Sequence, residues 1–202
     1  MTTKCTLNRS IFAVAAVLAW SGSVSAAEQK PEVQRLFQSG SYEQAADAAR
    51  DADPASTYIA AQSLMKLDRN DRAAAELTRL KADPQPSWRL IGESGEALIA
   101  NDAGRAIDLA RRAIEADAGN PFAQYQLGLS AARANDWGTA ATGFTKAVEL
   151  KPDFAYSHYW AGLAYQKQRQ LSKTAEHFDA FLRLAPDAPE RSAVVAVLRT
   201  IK

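Results

Sequence analysis

The side chains best suited to chemistry in this 202-residue chain are two histidines and a few close-set acids. His158 and His177 fall on successive helical stretches, where neutral imidazoles can meet around a metal or a haem iron. No cysteine or carboxylate at ligand spacing completes such a set, so neither a metal nor a cofactor is expected. The expected roles are structural, with His158 packed at a helix contact and His177 on the solvent side of its helix. Glu93 with Glu96, and Asp51 with Asp53, sit at a helix edge and in a turn, with nothing beside them to split their pKa values into acid and base. The chain also lacks an HExxH pair, a phosphate-cradling glycine loop and a serine elbow. No catalytic residue is assigned, and the chain is not expected to be an enzyme.

A second set of residues recurs at a fixed interval. Trp88, Phe122 and Tyr156 are 34 apart, as are Ile91, Tyr125 and Tyr159, and Tyr58 lies 33 before Ile91. Farther along the same segments Arg133 and Lys167 repeat the 34-residue step, with Lys66 as an earlier member one residue out of step. Aromatic faces with bases beyond them suit gripping rather than transforming. They fit apolar peptide side chains beside an acidic group, and they fit sugar rings nearly as well.

These residues ride on a repeat. LGLSAARANDWGTAATGFTKAVELKP is echoed 34 residues later by AGLAYQKQRQLSKTAEHFDAFLRLAP, so that Gly128 returns as Gly162, Phe144 as Phe178 and Pro152 as Pro186. The spacing predicts a helix from Pro121 to about Ala134, with Asn120 as N-cap and proline at its first position. A turn at Asn135-Asp136 and a second helix to Leu150 follow. The next unit places its turn at Gln168 to Leu171. Earlier turns are expected at Asn101 to Gly104, at Asp68 to Asp71 and at Gly40, where Ser41 with Gln44 forms a capping-box pattern. The front unit shows only a short first helix, about Glu32 to Gln38. Pro189 to Ile201 reads as a final helix whose Val194, Val197, Leu198 and Ile201 cover the last hairpin.

The pattern resembles the tetratricopeptide repeat family over nearly the whole chain after its first 27 residues. The family skeleton appears as Gln124-x2-Leu127-Gly128-x2-Ala131, Ala140-x3-Phe144 and Pro152, and again as His158-x2-Ala161-Gly162-x2-Tyr165, Thr174-x3-Phe178 and Pro186. Gln124 and His158 replace the large aromatic that usually opens the first helix. The resemblance implies an all-α, right-handed superhelical solenoid of about five hairpins, over 28–53 (partial), 54–86, 87–120, 121–154 and 155–188, with 189–202 as a capping helix. It also implies that first helices line a concave groove. Tyr58, Trp88, Ile91, Phe122, Tyr125, Arg133, Tyr156, Tyr159 and Lys167 are then the partner-binding residues. Tyr125 and Tyr159 have a second reading, in which they turn inward to fill the space left by Gln124 and His158. Trp137 and Trp160 are expected to be structural.

Residues 1–27 read as a secretory leader. Lys4 and Arg9 precede an apolar run from Ile11 to Trp20, and SGSVSAA places small residues for cleavage after Ala26 or Ala27. A run of ten falls well short of the roughly 20 helical residues that a membrane crossing needs. Cys5, the only cysteine, precedes the apolar run, so export would leave a chain without disulfides. It would carry 22 basic against 23 acidic residues, a balance that argues against nucleic acid as a partner. The expectation is a periplasmic or secreted scaffold that holds a partner protein or extended peptide and supports envelope assembly or secretion. The alternatives are a glycan- or peptidoglycan-binding accessory and an oligomeric structural scaffold.

Overall fold

The computed structural model describes residues 26–50 and 52–201; the expected leader apart from its last two residues, Cys5 and Asp51 all lie outside them. Among the described residues there are eleven helices and no strand. They run α1 (Ala26–Gln38), α2 (Tyr42–Ala48), α3 (Pro54–Lys66), α4 (Asn70–Lys81), α5 (Pro86–Ile99), α6 (Ala103–Ala116), α7 (Pro121–Arg133), α8 (Trp137–Leu150), α9 (Ala155–Lys167), α10 (Leu171–Leu184) and α11 (Arg191–Ile201). Ten pair as five hairpins, stacked side by side as a solenoid, and α11 closes the end. None of the described helices is long and apolar enough to cross a membrane.

Local chemistry sets the boundaries. Pro54, Pro86 and Pro121 open α3, α5 and α7, where a missing N–H leaves nothing unpaired. Asp53 and Asn120 cap the first turns of α3 and α7, with Asn120 Oδ1 accepting from the Phe122 N–H at 2.9 Å. The expected capping box at Ser41 does not form. Its side chain makes no cap bond and instead pairs with the Ser39 hydroxyl at 3.1 Å. The first helix is also longer than Glu32 to Gln38, because α1 begins at Ala26.

Every turn inside a hairpin is built the same way. Gly40, Asp68, Asn101, Asn135 and Arg169 all take the left-handed conformation, with φ between 57° and 80°. At each, the following N–H reaches back to a carbonyl five residues earlier, as Ser41 to Leu36, Arg69 to Leu64, Asp102 to Ala97, Asp136 to Ala131 and Gln170 to Tyr165. Asp and Asn tolerate this conformation, whereas an arginine there is strained.

The small residues of the repeat are contact points. A Cβ on Gly128 would stand 2.6 Å from Phe144, and one on Gly162 would stand 2.5 Å from Phe178. Each aromatic from the second helix therefore packs directly against a backbone with no side chain. At the far end Val194 and Leu198 of α11 bury against Phe178, Phe181 and Ala185.

The solenoid closes on itself. Phe37 of α1 packs at 4.6 Å on Tyr156 of α9 and stacks on Phe154 at 6.1 Å. Gln34 and Gln38 both donate to the Asp153 carbonyl at 3.0 Å. Gly40 lies against Pro189, where a Cβ would approach the ring to 2.5 Å. The first described hairpin thus meets the last one and the segment leading into α11.

Arg169→Gly should stabilise the fold by up to about 1 kcal/mol by relieving the left-handed strain, read as a higher urea midpoint at unchanged slope. Gly162→Leu should overpack the Phe178 contact and lower stability by about 1–3 kcal/mol in the same assay. An unchanged midpoint for Gly162→Leu would mean that α9 and α10 are not in the register described.

Candidate functional site

The inner face of the solenoid is arranged in layers along the first helices. Nearest their N-terminal ends is an aromatic plug. Tyr58 meets Phe122 at 5.5 Å, Phe122 meets Trp88 at 5.6 Å and Phe154 at 5.6 Å, and Phe154 leads on to Phe37. Tyr125 joins it edge-on to Tyr58 and Phe154.

This overturns the exposure expected for most of the ladder. Trp88, Phe122 and Tyr156 are buried, at 9 %, 4 % and 0 % exposure, as are Tyr58, Ile91 and Tyr125. The reason is the tight winding, which brings first helices of distant hairpins into contact and turns a groove wall into core. For Tyr125 the inward reading holds, since it lies beside Phe144 at 5.5 Å. Tyr159 is half-buried on Phe181 at 5.2 Å. Burial raises the hydroxyl pKa values of Tyr58, Tyr125 and Tyr156, and pushes that of Tyr159 up to about 12.

Above the plug is a hydrogen-bonded floor. The Tyr58 hydroxyl donates to Gln126 Oε1 at 2.7 Å, Gln126 Nε2 donates to Ser94 Oγ at 3.0 Å, and Ser94 donates to the Ala106 carbonyl at 2.8 Å. Four helices are pinned at one level by three buried bonds.

Beyond the floor a cavity of about 470 Å³ opens toward the turn end of the first helices. Its lining begins one helical turn past the floor residues, with Gln62 after Tyr58, Leu98 after Ser94 and Leu129 after Gln126. Met65, Ile99, Trp137 and Trp160 complete most of the apolar wall. Arg133 and Lys66 are the only charged groups in the lining, and no acid is among them. Lys167 stands close by, its ammonium 5.6 Å from the Trp137 ring. The expected basic edge is therefore exposed, while the expected aromatic edge is not. Trp137 and Trp160, read from sequence as structural, are walls of the cavity, although Trp160 also stacks on Phe144 at 6.0 Å. The lining was legible in principle. Gln62 and Leu129, like Met65, Leu98 and Ala132, occupy equivalent places in the repeat, one or two turns past the ladder.

Lys66 is not free to serve a ligand. It pairs with Glu190 at 2.7 Å and lies over the Tyr156 ring at 4.9 Å. Tyr156 donates to Glu190 at 2.8 Å and shares a 2.8 Å bond with the Tyr42 hydroxyl. Burial alone would raise the Glu190 carboxyl, but the bonds from Lys66 and Tyr156 outweigh it and hold the group below its ordinary range. Arg133, by contrast, bonds the neutral Asn101 side chain at 2.8 Å and makes no ion pair among the described residues.

The two histidines do meet, with Nδ1 atoms 3.2 Å apart, and His158 Nε2 lies 3.3 Å from the Pro152 carbonyl. His158 is partly buried at the contact between α9 and α10, as expected, but His177 is buried with its ring stacked on Tyr165 rather than on the solvent side. Burial lowers both imidazole pKa values, which favours two neutral rings sharing one hydrogen bond. Among the described residues no three His, Cys, Asp or Glu side chains gather closely enough to hold a metal ion.

Residues 125–189 match a tetratricopeptide repeat family model. The structure of TTC0263, a tetratricopeptide repeat protein of Thermus thermophilus, superposes with a TM-score of 0.61 at 17% identity, covering 87% of this chain and 100% of that one. The fold is that of a tetratricopeptide repeat solenoid. YrrB, described as a tetratricopeptide repeat protein with an unusual peptide-binding site, aligns over 87% of this chain and 92% of its own at 19% identity and a TM-score of 0.52. The first such domain of Spaghetti (RPAP3), solved bound to the HSP90 peptide SRMEEVD, aligns over 59% of this chain and 92% of its own at 21% identity and a TM-score of 0.54. No curated protein sequence is significantly similar to this chain.

Tyr156→Ala should destabilise the protein by about 3–5 kcal/mol, since it removes a buried ring and leaves Glu190 short of a donor. Thermal melting with circular dichroism checks this, and an unchanged melting temperature would return Tyr156 to the surface. Because the folded Glu190 pKa is depressed, its stabilisation is complete above the ordinary glutamate range and is lost as pH falls through the lower folded value. Glu190→Gln should therefore lower the melting temperature at pH 7, and the gap to the parent should narrow on acidification.

Proposed function

We propose that this chain is an interaction scaffold whose recognition surface is the mouth of the cavity at the turn end of its first helices. One observation carries the reading. Above the buried aromatic plug and its hydrogen-bonded floor lies an apolar recess edged by Arg133 and Lys167, neither of which makes an ion pair among the described residues. Such an edge suits a segment of a partner protein that crosses the mouth with an acidic group toward the bases and an apolar side chain toward Trp137. The peptide-binding site of YrrB and the peptide held by the first Spaghetti domain are consistent with this kind of role. The leader pattern supports a working place outside the cytoplasm, in envelope assembly or secretion.

A photo-crosslinking residue at position 132, on the cavity lining, tests the surface in cells. It should trap a protein partner that the same probe at the exposed position 149 does not, and Arg133→Glu with Lys167→Glu should abolish the adduct while leaving the melting temperature within about 2 °C, as is usual for surface changes. Equal trapping at both positions would sink the proposal. Export is read separately, by sequencing the amino terminus of the protein from a periplasmic fraction. A start at Ala27 or Glu28 is expected, and a start at the initiator methionine or Thr2 would exclude it.

A further inference from the structure

Beneath the mouth, the cavity has features that partner docking does not use. We infer that it is a binding site for a small monocarboxylic acid with an apolar body. The shape argues for a small ligand. An open solenoid groove lets an extended chain run its whole length, but here the Tyr58–Gln126–Ser94 floor and the plug below it stop the passage. What is left is a dead-ended recess of about 470 Å³, within the roughly 300–1,000 Å³ of small-molecule pockets.

The wall sets the ligand's body. Met65, Leu98, Ile99, Leu129, Trp137 and Trp160 converge from four hairpins, so an alkyl or aryl group meets apolar side chains from several helices. The polar groups set its head. Lys66 is paired with Glu190, which leaves Arg133, bonded among the described residues to the neutral Asn101 side chain, as the uncompensated base of the lining. Helix ends do not cancel this positive charge. At each turn the C-terminus of a first helix lies beside the N-terminus of the next, and their dipoles oppose.

Gln62 supplies the second, independent observation. It lines the cavity at 7 % exposure, and its Nε2 has no hydrogen-bond partner. A buried amide N–H left unpaired costs about 1–3 kcal/mol. A half-turn about the terminal torsion exchanges the two ends of the carboxamide and turns the N–H toward an acceptor in the cavity. A carboxylate there would pair with Gln62 from within and with Arg133 from the rim.

The same chemistry occurs at the last residue of a peptide with an apolar terminal side chain. The dead end and the limited volume favour the free acid, and the test separates the two. Decanoate, below its micelle concentration, is titrated into the chain lacking residues 1–26 in an isothermal calorimeter. Decanol, decylamine and the tetrapeptide acetyl-Ala-Ala-Ala-Leu with a free carboxylate are titrated alongside. Decanoate should bind once per chain and at least about tenfold more tightly than each of the others, as a charge-assisted hydrogen bond requires. Leu129→Trp, which fills the recess, should remove the heat while the melting temperature stays within a few degrees. Should that variant fail to fold, Ala132→Leu takes its place. Arg133→Ala should bring decanoate down to the level of decanol.

Binding of decanol as tight as that of decanoate, tighter binding of the tetrapeptide, no saturable heat, or full binding by a folded recess-filling variant would each overturn the inference. The crosslink from position 132 is read independently of all four. A failed ligand with an intact crosslink leaves the scaffold proposal standing, and the converse leaves the ligand site standing.

Discussion

The contact between α1 and the start of α9 governs the inner face of this protein. Phe37, Phe154 and Tyr156 form one aromatic cluster, although Phe37 is separated from the others by more than a hundred residues. Once those rings meet, the axis of the solenoid is filled at one end, and Tyr58, Phe122 and Tyr125 become interior side chains. The Glu190 carboxylate fastens the same junction from the other side, through Lys66 and Tyr156. Apolar burial provides the driving force, and the ionic bond selects which rings lie together.

Everything beyond the junction is a stack of levels on parallel helices. A repeat places equivalent residues at equal heights, so the aliphatic lining residues Met65, Leu98 and Ala132 share one level, while the floor of Tyr58, Gln126 and Ser94 joins three different repeat positions. The hydrogen-bonded level needs its partners in register, and a slip of α5 or α7 by one residue would break two of its three bonds together.

Much of the hairpin was legible in the sequence, because its determinants are local. Asn120 and Pro121 start α7, the Asn135 turn follows it, and Gly128 and Gly162 admit the facing phenylalanines, all as the 34-residue pattern requires. The Ser41 cap failed because its hydroxyl found a nearer partner in Ser39. The site was only half legible. Arg133 and Lys167 were placed correctly on an exposed edge, but periodicity reports which positions are equivalent and not which way the superhelix faces them. Whether Trp88 and Phe122 meet water depends on curvature, a sum of small angles over several hairpins. The role of Glu190 had no local signal, since it joins Tyr156 of the last hairpin to Lys66, 124 residues away.

Closure also changes how the molecule must come apart. In an open solenoid each hairpin touches only its neighbours, so the ends fray first and stability grows by increments along a line. Here the first hairpin is held by the fourth inter-repeat loop, by the last hairpin and by the segment leading into α11, through Asp153, Tyr156 and Pro189. The line has become a ring with no free end from which unfolding can start. Loss of either terminus exposes aromatic surface at both, which makes the array a single cooperative unit whose weakest link lies at the junction.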